Sequence, residues 1–447
     1  MAVVVGALHA PGPDLARFHR SGVVIALSLL LVIALTGVGV TAARFRPPAV
    51  PLHADTIALG PGGVVTEAAA ADVVPGTRVL AGTADTARLI TDQRQWLAAG
   101  SIPEVPGLDR ALVVDALLDL HVLSQAYGVP VAGWTPAWRY VWPRDSAFAA
   151  SALARTGHLA DAERILDFLG QMQPAAGEFQ ARYRPDGSGV PDARGVQLDG
   201  VGWALWATAQ VAAEIPPAHR TAFVQRHRAL VDRSTGAALR AIDNPRALPP
   251  ASADYWEVAE RRTTLSTAAL LAAGLESAGG LYALVGDVPA QRTAAAATER
   301  LRTSIMINFG RSGYPRRLGG RSDSVDLGVN FLLPPFTAQA DPSVVASWRQ
   351  AGSALSRPAG GLAPGGSWRR DGISWTNVTA THALTAAALG ERTSALARLD
   401  WLDRHRTVAG SVPEKVLADG SPASVAPLAW TAAAVMITAA SLSPAAG

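Results

Sequence analysis

From residue 107 onward, apolar residues recur every three or four positions in one segment after another. That spacing is typical of helices that bury one face, and the alternation expected of strands is nearly absent. The pattern therefore predicts an all-α architecture. It places twelve helices at residues 107–127, 144–156, 159–172, 197–213, 217–242, 261–284, 288–308, 324–334, 342–356, 374–389, 391–406 and 425–441.

The connections between these segments alternate between short turns and long loops rich in Gly, Pro, Trp and acidic residues. Such a series fits either an α-solenoid or a ring of six helical hairpins, an (α/α)6 barrel. A solenoid would show a fixed repeat of about 34 or 40 residues, which this sequence lacks, so we expect the barrel. The long loops of a barrel gather at one end and build a concave site. The six candidates are 129–143, 173–196, 243–260, 309–323, 357–373 and 407–424.

The segment that precedes the helices contains a long uncharged run. Residues 21–43 carry no charge between Arg20 and Arg44, and about 20 apolar residues suffice to span a bilayer as a helix. We expect a single-pass transmembrane signal anchor at 21–43 after a cytoplasmic stub at 1–20. A cleaved signal peptide and a buried core helix are the alternatives. The flanking Arg residues are balanced and give no orientation, but the long following domain fits a catalytic part outside the cytoplasm.

Residues 44–106 are rich in Gly, Pro, Ala and Val and show no sustained helical period. We expect a stalk or linker there, with a few short strands or turns and one helix near 91–99. The (α/α)6 catalytic domain then occupies 107–447.

Composition excludes several classes of protein. Apolar residues make up 49% of the chain and charged residues 17%, which fits a large folded core. Lys plus Arg is 39 against 36 for Asp plus Glu, and no basic run occurs, so nucleic acid is not an expected partner. The lack of Cys excludes disulfides, zinc–thiolate sites and iron–sulfur clusters. Trp, at 12, outnumbers both Phe and Tyr, and its flat ring suits stacking on sugars.

Two motifs place charged residues where helices are predicted to begin. The first, Trp142-Pro143-Arg144-Asp145, ends a loop rich in aromatic residues. Asp145 could cap the helix, and equally Arg144 and Asp145 could hold adjacent hydroxyls of a sugar, one as donor and one as acceptor. The second is Gln197-Leu198-Asp199-Gly200, in which Asp199 is either a helix cap or part of the same site.

Two further motifs carry glutamates in long loops. Glu257 follows Trp256, and aromatic walls raise the pKa of a carboxyl by desolvation, as a general acid at neutral pH requires. Glu414 precedes Lys415, whose charge helps to keep the carboxyl ionised, as a general base requires. Each glutamate could instead be a solvated surface carboxylate. Two carboxylates that face a sugar-sized cleft are the minimum for glycoside hydrolysis.

In this order and on this number of helices, the four motifs resemble those of glycoside hydrolase family 15, the glucoamylase family. The resemblance covers about 110–441. It implies an (α/α)6 barrel and an inverting exo-hydrolase. Such an enzyme releases glucose from the non-reducing ends of α-glucans or short α-glucosides.

The resemblance also implies roles for particular residues. Glu257 matches the general acid and Glu414 the general base. It also implies a set of residues that bind substrate in and around the innermost glucose subsite: Trp142, Arg144, Asp145, Trp256 and Asp199. We expect no cofactor and no metal, because the His residues are scattered and the acidic pair Asp323 and Asp326 lacks the spacing of an EF-hand calcium loop.

The chain departs from the family at several points. Val258 stands where many members have a second Glu, and Lys415 where many have Gln. Only about 60 residues lie between the predicted membrane span and the helices, so the N-terminal β-sandwich of bacterial members is missing or reduced. Linkage and chain length of the substrate therefore stay open, and a trehalase or dextranase is one alternative. A non-catalytic, membrane-anchored glycan-binding or envelope scaffold protein on the same fold is another.

Overall fold

The computed structural model describes residues 50–321 and 324–444. Helices dominate this part of the chain, and the strands are short. The α-helices are α1 (Thr86–Ala98), α2 (Arg110–Gln125), α3 (Pro143–Arg155), α4 (Leu159–Met172), α5 (Asp199–Glu214), α6 (Arg220–Arg226), α7 (Arg228–Ala241), α8 (Leu265–Leu284), α9 (Val288–Asn308), α10 (Pro342–Ala354), α11 (Thr376–Ala388), α12 (Arg392–Arg404) and α13 (Ala429–Leu442).

Three small antiparallel sheets accompany the helices. The first is a hairpin, the second a single pair, and the third has three strands in sequence order. The strands are β1 (Thr56–Leu59), β2 (Val65–Ala68), β3 (Phe179–Gln180), β4 (Val196–Gln197), β5 (Ser374–Trp375), β6 (Lys415–Val416) and β7 (Pro422–Ala423).

Five α-helices and one 3₁₀ helix form a closed inner ring. In order around the ring, α3 packs on α5, α5 on α8, α8 on the 3₁₀ helix Leu327–Leu332, this helix on α11, α11 on α13, and α13 on α3. Outside them, α4 packs on α3, α7 on α5, α9 on α8, α10 on the 3₁₀ helix, α12 on α11, and α2 on α13. This alternation of inner and outer helices is consistent with the predicted (α/α)6 barrel.

The sequence explains which helices lie inside. A helix that is apolar all round needs neighbours on every side, whereas an amphipathic helix needs them on one. Inner helix α13 is buried over nearly its whole length, while outer helix α4 buries one stripe that includes Ile165 and Leu169. In the described part of the chain, α8 is the one helix long and apolar enough to cross a bilayer. Its place in the inner ring accounts for that composition.

Two predicted helices differ in the structure. The segment 324–334 forms only the six-residue 3₁₀ helix Leu327–Leu332, because Pro334 and Pro335 follow at once and a residue before proline disfavours the α conformation. The segment 217–242 is two helices, α6 and α7, which meet at His227.

The predicted stalk at 44–106 is wrong for residues 51–106, which belong to the same compact unit as the helices. The buried Arg78 donates hydrogen bonds to Asp115 and Asp119 of α2. Thr56 and Ser411 share a hydrogen bond of 2.7 Å between their hydroxyl oxygens. Apolar side chains of the segment lie in the main core, among them Ile57 and Leu59 of β1, a strand that is buried at every position. The predicted anchor at 21–43 lies outside the described residues.

Aromatic rings fill the centre of the inner ring. Phe148 packs against Trp203, Trp206 and Trp430, with ring centroids 5.3 Å, 5.7 Å and 5.5 Å apart. Buried aromatic rings contribute large apolar areas and prefer such tilted contacts. This aromatic cluster forms the base on which the functional cavity lies, since Trp430 also lines that cavity.

Candidate active site

A cavity of about 370 Å³ lies between the loops that connect the helices. Five of the six predicted long loops contribute to its wall, and the loop 309–323 does not line it. Half of the twelve tryptophans of the chain line the cavity, which gives it flat apolar walls of the kind that stack on sugar rings. They are Trp138, Trp142, Trp256, Trp368, Trp375 and Trp430.

The structure brings six of the seven predicted site residues together in this cavity. They are Trp142, Arg144, Asp145, Trp256, Glu257 and Glu414. Asp199 is the exception, because it is buried in the first turn of α5 and does not line the cavity. Burial and the neighbouring charge of Asp254 raise the pKa of Asp199 to about 7, although Arg144 opposes the shift. Asp199 is therefore a buried neighbour of the cavity residues and not part of the cavity wall.

Arg144 and Asp145 are held by the start of helix α3. Pro143 occupies the first turn and Trp142 the N-cap position, without a side-chain capping bond. Asp145 is therefore not the cap of this helix; its Oδ2 lies 2.9 Å from Nη2 of Arg144. Burial raises the pKa of Asp145, and Arg144 works against that shift. The Arg144 guanidinium in turn lies 4.5 Å from the ring centroid of Trp430.

Several buried polar atoms that line this cavity have no hydrogen-bond partner in the protein. Among the described residues, the indole nitrogens of four lining tryptophans make no hydrogen bond, and neither do Nε and Nη1 of Arg144 nor Oδ1 of Asn377. Buried polar groups in folded proteins are almost always paired, so unpaired ones that line a cavity indicate a ligand with hydrogen-bonding groups. The four tryptophans are Trp142, Trp256, Trp368 and Trp375.

Glu257 lies in the loop before α8 in a backbone conformation that is uncommon for a residue with a side chain, at φ 53°. Its amide nitrogen donates a 2.7 Å hydrogen bond to the carbonyl oxygen of Asp254, which closes a tight turn. The carboxylate forms an ion pair with Arg194, and its Oε1 lies 4.0 Å from Nη1 of Arg144. The turn thus directs the Glu257 side chain between two guanidinium groups.

A buried charge cluster fixes the residue next to Glu257. The guanidinium of Arg316 lies 3.7 Å from the ring centroid of Trp256. Arg316 also bonds to the carboxylates of Asp254 and Asp326, at 2.7 Å and 2.6 Å, and to Glu260 at 2.9 Å. Burial alone would lower the pKa of Arg316, but Asp326 and Asp254 outweigh it and raise the pKa. A loop that lines no part of the cavity thereby positions the loop that carries Glu257.

Glu414 is almost fully buried and faces three donors. Trp138 donates from Nε1 to Oε1 at 3.2 Å, and Ser424 donates from its hydroxyl to Oε2 at 2.6 Å. Lys415 lies 3.0 Å from Oε2, as the sequence suggested, and its ammonium group lies over Trp375. These contacts hold both oxygens of the Glu414 carboxylate in place at the cavity.

Sequence reasoning missed several of these residues. The abundance of Trp was a signal for Trp368, Trp375 and Trp430, but nothing in their local motifs singled them out. Arg194 gave no signal, because it meets Glu257 from 63 positions away, and Ser424 gave none, because it meets Glu414 through the pairing of β6 with β7, which the sequence did not predict.

No family model matches the chain. Among curated proteins, the isomaltose glucohydrolase of Kribbella flavida is 25% identical over 317 residues, which cover 64% of this chain and 77% of that protein. Among solved structures, a glycosidase has a TM-score of 0.63 at 22% identity and covers 78% of this chain and 98% of its own. The glucoamylase from Saccharomycopsis fibuligera has a TM-score of 0.59 at 13% identity, over 75% and 96% of the two chains.

At these identities the solved structures show a shared fold, that of glycosidases and glucoamylases. The curated relative and the two glutamates of the cavity support a glycoside hydrolase. This is the class that the four sequence motifs predicted.

Proposed function

We propose that the protein is an inverting, exo-acting α-glucoside hydrolase that releases glucose from the non-reducing ends of α-glucans or short α-glucosides. The observation that carries the proposal is one cavity that joins Glu257 and Glu414, from different loops, to the Arg144–Asp145 pair. A binding protein has no need for two carboxylates in such different surroundings.

The inner end of the cavity suits a single terminal glucose. Side-chain exposure rises outward, from 4% for Asp145 and 12% for Arg144 to 20% for Glu257 and 39% for Arg194. Glucose bound by Arg144 and Asp145 would accept from the guanidinium and donate to the carboxylate, and charge-assisted hydrogen bonds of this type are the strong ones. Glu257 then reaches the glycosidic oxygen at the outer side of that glucose, which is the arrangement required for exo-action.

The chemistry divides between the two glutamates. Glu257, as general acid, transfers its proton to the glycosidic oxygen while the bond from this oxygen to the anomeric carbon breaks. Glu414, as general base, removes a proton from a water molecule whose oxygen forms the new bond to the anomeric carbon. The products are the aglycone alcohol and β-glucose, with Glu257 deprotonated and Glu414 protonated. One proton exchanged with solvent at each residue restores the starting state.

A substrate panel with product analysis tests this proposal. Maltose, isomaltose, trehalose, maltotriose and dextran are incubated with the purified protein, and the anomer of the released glucose is followed by NMR. We expect β-glucose to appear first. The name of the Kribbella flavida relative favours isomaltose as the first substrate. Initial α-glucose would exclude inversion, and no glucose from any substrate would favour a binding protein.

We also propose that residues 21–43 anchor the protein in the cell membrane, with the catalytic part outside the cytoplasm. The support is the uncharged run between Arg20 and Arg44. We expect the full chain to sediment with membranes after cell lysis and protease added to intact spheroplasts to digest the catalytic part. A mature protein that starts near Arg44 in the medium would show a cleaved signal peptide instead.

A further inference from the structure

Arg194 reaches into the cavity from the loop before α5 and pairs with Glu257. It is held there by Asp192, whose Oδ2 lies 3.3 Å from Nε of Arg194. Asp192 also bonds to Arg182 at 2.5 Å, and the guanidinium of Arg182 lies 5.0 Å from the ring centroid of Trp142. A chain of charged groups thus ties Arg194 to the cavity wall.

This contact conflicts with the role of a general acid. An acid must carry its proton when substrate is bound, yet a guanidinium group in contact with a carboxyl favours the ionised form. Arg194 is also the more exposed partner, at 39% against 20% for Glu257, which puts it toward the open side of the cavity, where the leaving group of a bound glucoside would lie. The guanidinium and the leaving group therefore compete for one position.

We propose that Arg194 is the residue that recognises the leaving group, and that it exchanges partners when substrate binds. In the free protein Arg194 pairs with Glu257; in the complex it donates hydrogen bonds to the oxygen atoms of a hydroxyl-rich leaving group such as a second sugar. Released from the ion pair, Glu257 takes a proton from solvent and later gives it to the glycosidic oxygen. This inference rests on the proposed glucoside hydrolysis.

Other charges near Glu257 stay in place during this exchange. Arg144 lies 4.0 Å away on α3 and remains engaged with Asp145 and the inner glucose. Glu414 and Lys415 line the same cavity and pair with each other. On the loop of Glu257 itself, the acidic residues Asp254 and Glu260 are neutralised by Arg316. Arg194 is thus the cation whose movement changes the charge around Glu257.

The pH dependence of hydrolysis tests the exchange. The alkaline limb of kcat/KM reports the acid in the free protein, and that of kcat reports the acid in the complex. In the wild type we expect the kcat limb to lie at higher pH, because Arg194 has left Glu257. In Arg194→Gln the alkaline limb of kcat/KM should move to higher pH by about one unit, toward the limb of kcat. The reason is that the loss of a neighbouring cation raises the pKa of a carboxyl.

Two control variants accompany this measurement. Arg194→Lys keeps the charge and should leave both limbs near their wild-type positions. Arg184→Gln removes a charge from an exposed position in the same loop, where the side chain donates a hydrogen bond to the carbonyl oxygen of Val190 and does not line the cavity, and should move neither limb. Circular dichroism at each pH verifies that all variants remain folded.

A second readout concerns the leaving group. Arg194→Gln should raise KM for isomaltose or maltose about tenfold, the effect of losing one charge-assisted hydrogen bond. The leaving group of 4-nitrophenyl α-glucoside is flat and has no hydroxyls for Arg194 to bind. KM for this substrate should therefore change less than about threefold.

The outcomes separate the possibilities. Unchanged limbs in Arg194→Gln, or a joint upward shift of both limbs, would overturn the exchange. An equal rise in KM for both substrates would overturn the recognition of the leaving group. Failure of the wild type to hydrolyse any glucoside would instead overturn the proposed function.

Discussion

The guanidinium of Arg316 lies 3.7 Å from the ring centroid of Trp256, although 60 positions separate these residues along the chain. Trp256 immediately precedes Glu257, so this contact fixes the approach of the glutamate to the cavity. Three carboxylates surround Arg316 and hold it in place. The orientation of the proposed acid thus depends on a buried charge cluster outside the cavity wall.

Substitution of Arg316 should destabilise the protein strongly. Arg316→Met leaves buried carboxylates without their partner, and breaking a buried ion pair typically costs about 3–5 kcal/mol of unfolding free energy. Arg404→Met is the control, because Arg404 and its partner Asp400 on α12 are 61% and 59% exposed; its cost should be below about 1 kcal/mol. Urea denaturation of the two variants measures the difference, and equal losses would show that the cluster does not depend on Arg316.

Substitution of either proposed catalytic glutamate should reduce turnover without unfolding the protein. We expect Glu257→Gln and Glu414→Gln each to lower kcat by about a hundred- to ten-thousandfold, because each removes one proton-transfer step. Glu299→Gln, at a carboxyl that is 71% exposed on α9, should leave kcat unchanged. Initial rates of glucose release provide the comparison. Activity near that of the wild type in one variant would remove that glutamate from its role.

Asp145→Asn separates sugar binding from a purely structural role. The loss of the charged acceptor should lower kcat/KM about ten- to hundredfold, since hydrogen bonds to charged groups contribute about 1.5–3 kcal/mol. Asp161→Asn is a matched control, because Asp161 lies in the first turn of α4 and pairs with Arg164 away from the cavity. Steady-state rates and melting curves of both variants decide the matter. Equal kcat/KM in the two variants would mean that another group accepts from glucose.

Asp199 should make the stability of the protein depend on pH. Its folded pKa of about 7 lies above the unfolded value of 3.8, so the folded state binds the proton more tightly. The contribution of Asp199 to stability is full below pH 3.8 and is lost as pH rises through 7. Asp199→Asn should therefore stabilise the protein at pH 8, by at most about 4 kcal/mol at 1.36 kcal/mol per unit. This gain should vanish toward pH 4.

Urea midpoints between pH 5 and pH 8 measure this effect. Asp243→Asn, at an exposed carboxyl after α7, serves as the control and should show no such trend. A constant difference between wild type and Asp199→Asn at every pH would mean that Asp199 does not titrate in this range.

Local patterns in the sequence determined the helical segments and their order. Helical periodicity depends on residues within one or two turns, so it can be read without the fold. The same holds for the motifs that contain Arg144, Glu257 and Glu414, since each occupies a few adjacent positions. The segment 324–334 was misjudged, because its apolar spacing is helical while the prolines that follow allow only a short 3₁₀ helix.

Only the tertiary structure decided which distant residues meet. Arg194 and Glu257 are 63 positions apart, and Trp138 and Glu414 are 276 apart. Asp199 belongs to the predicted set but does not line the cavity, since the rotation of a helix start depends on the packing of its neighbours. Contacts between loops depend on the closure of the inner ring. Closure brings together helices that are far apart in sequence, and local sequence patterns carry no information about it. The sequence therefore determined the chemical groups of the cavity, and the packing of the ring determined how these groups are paired.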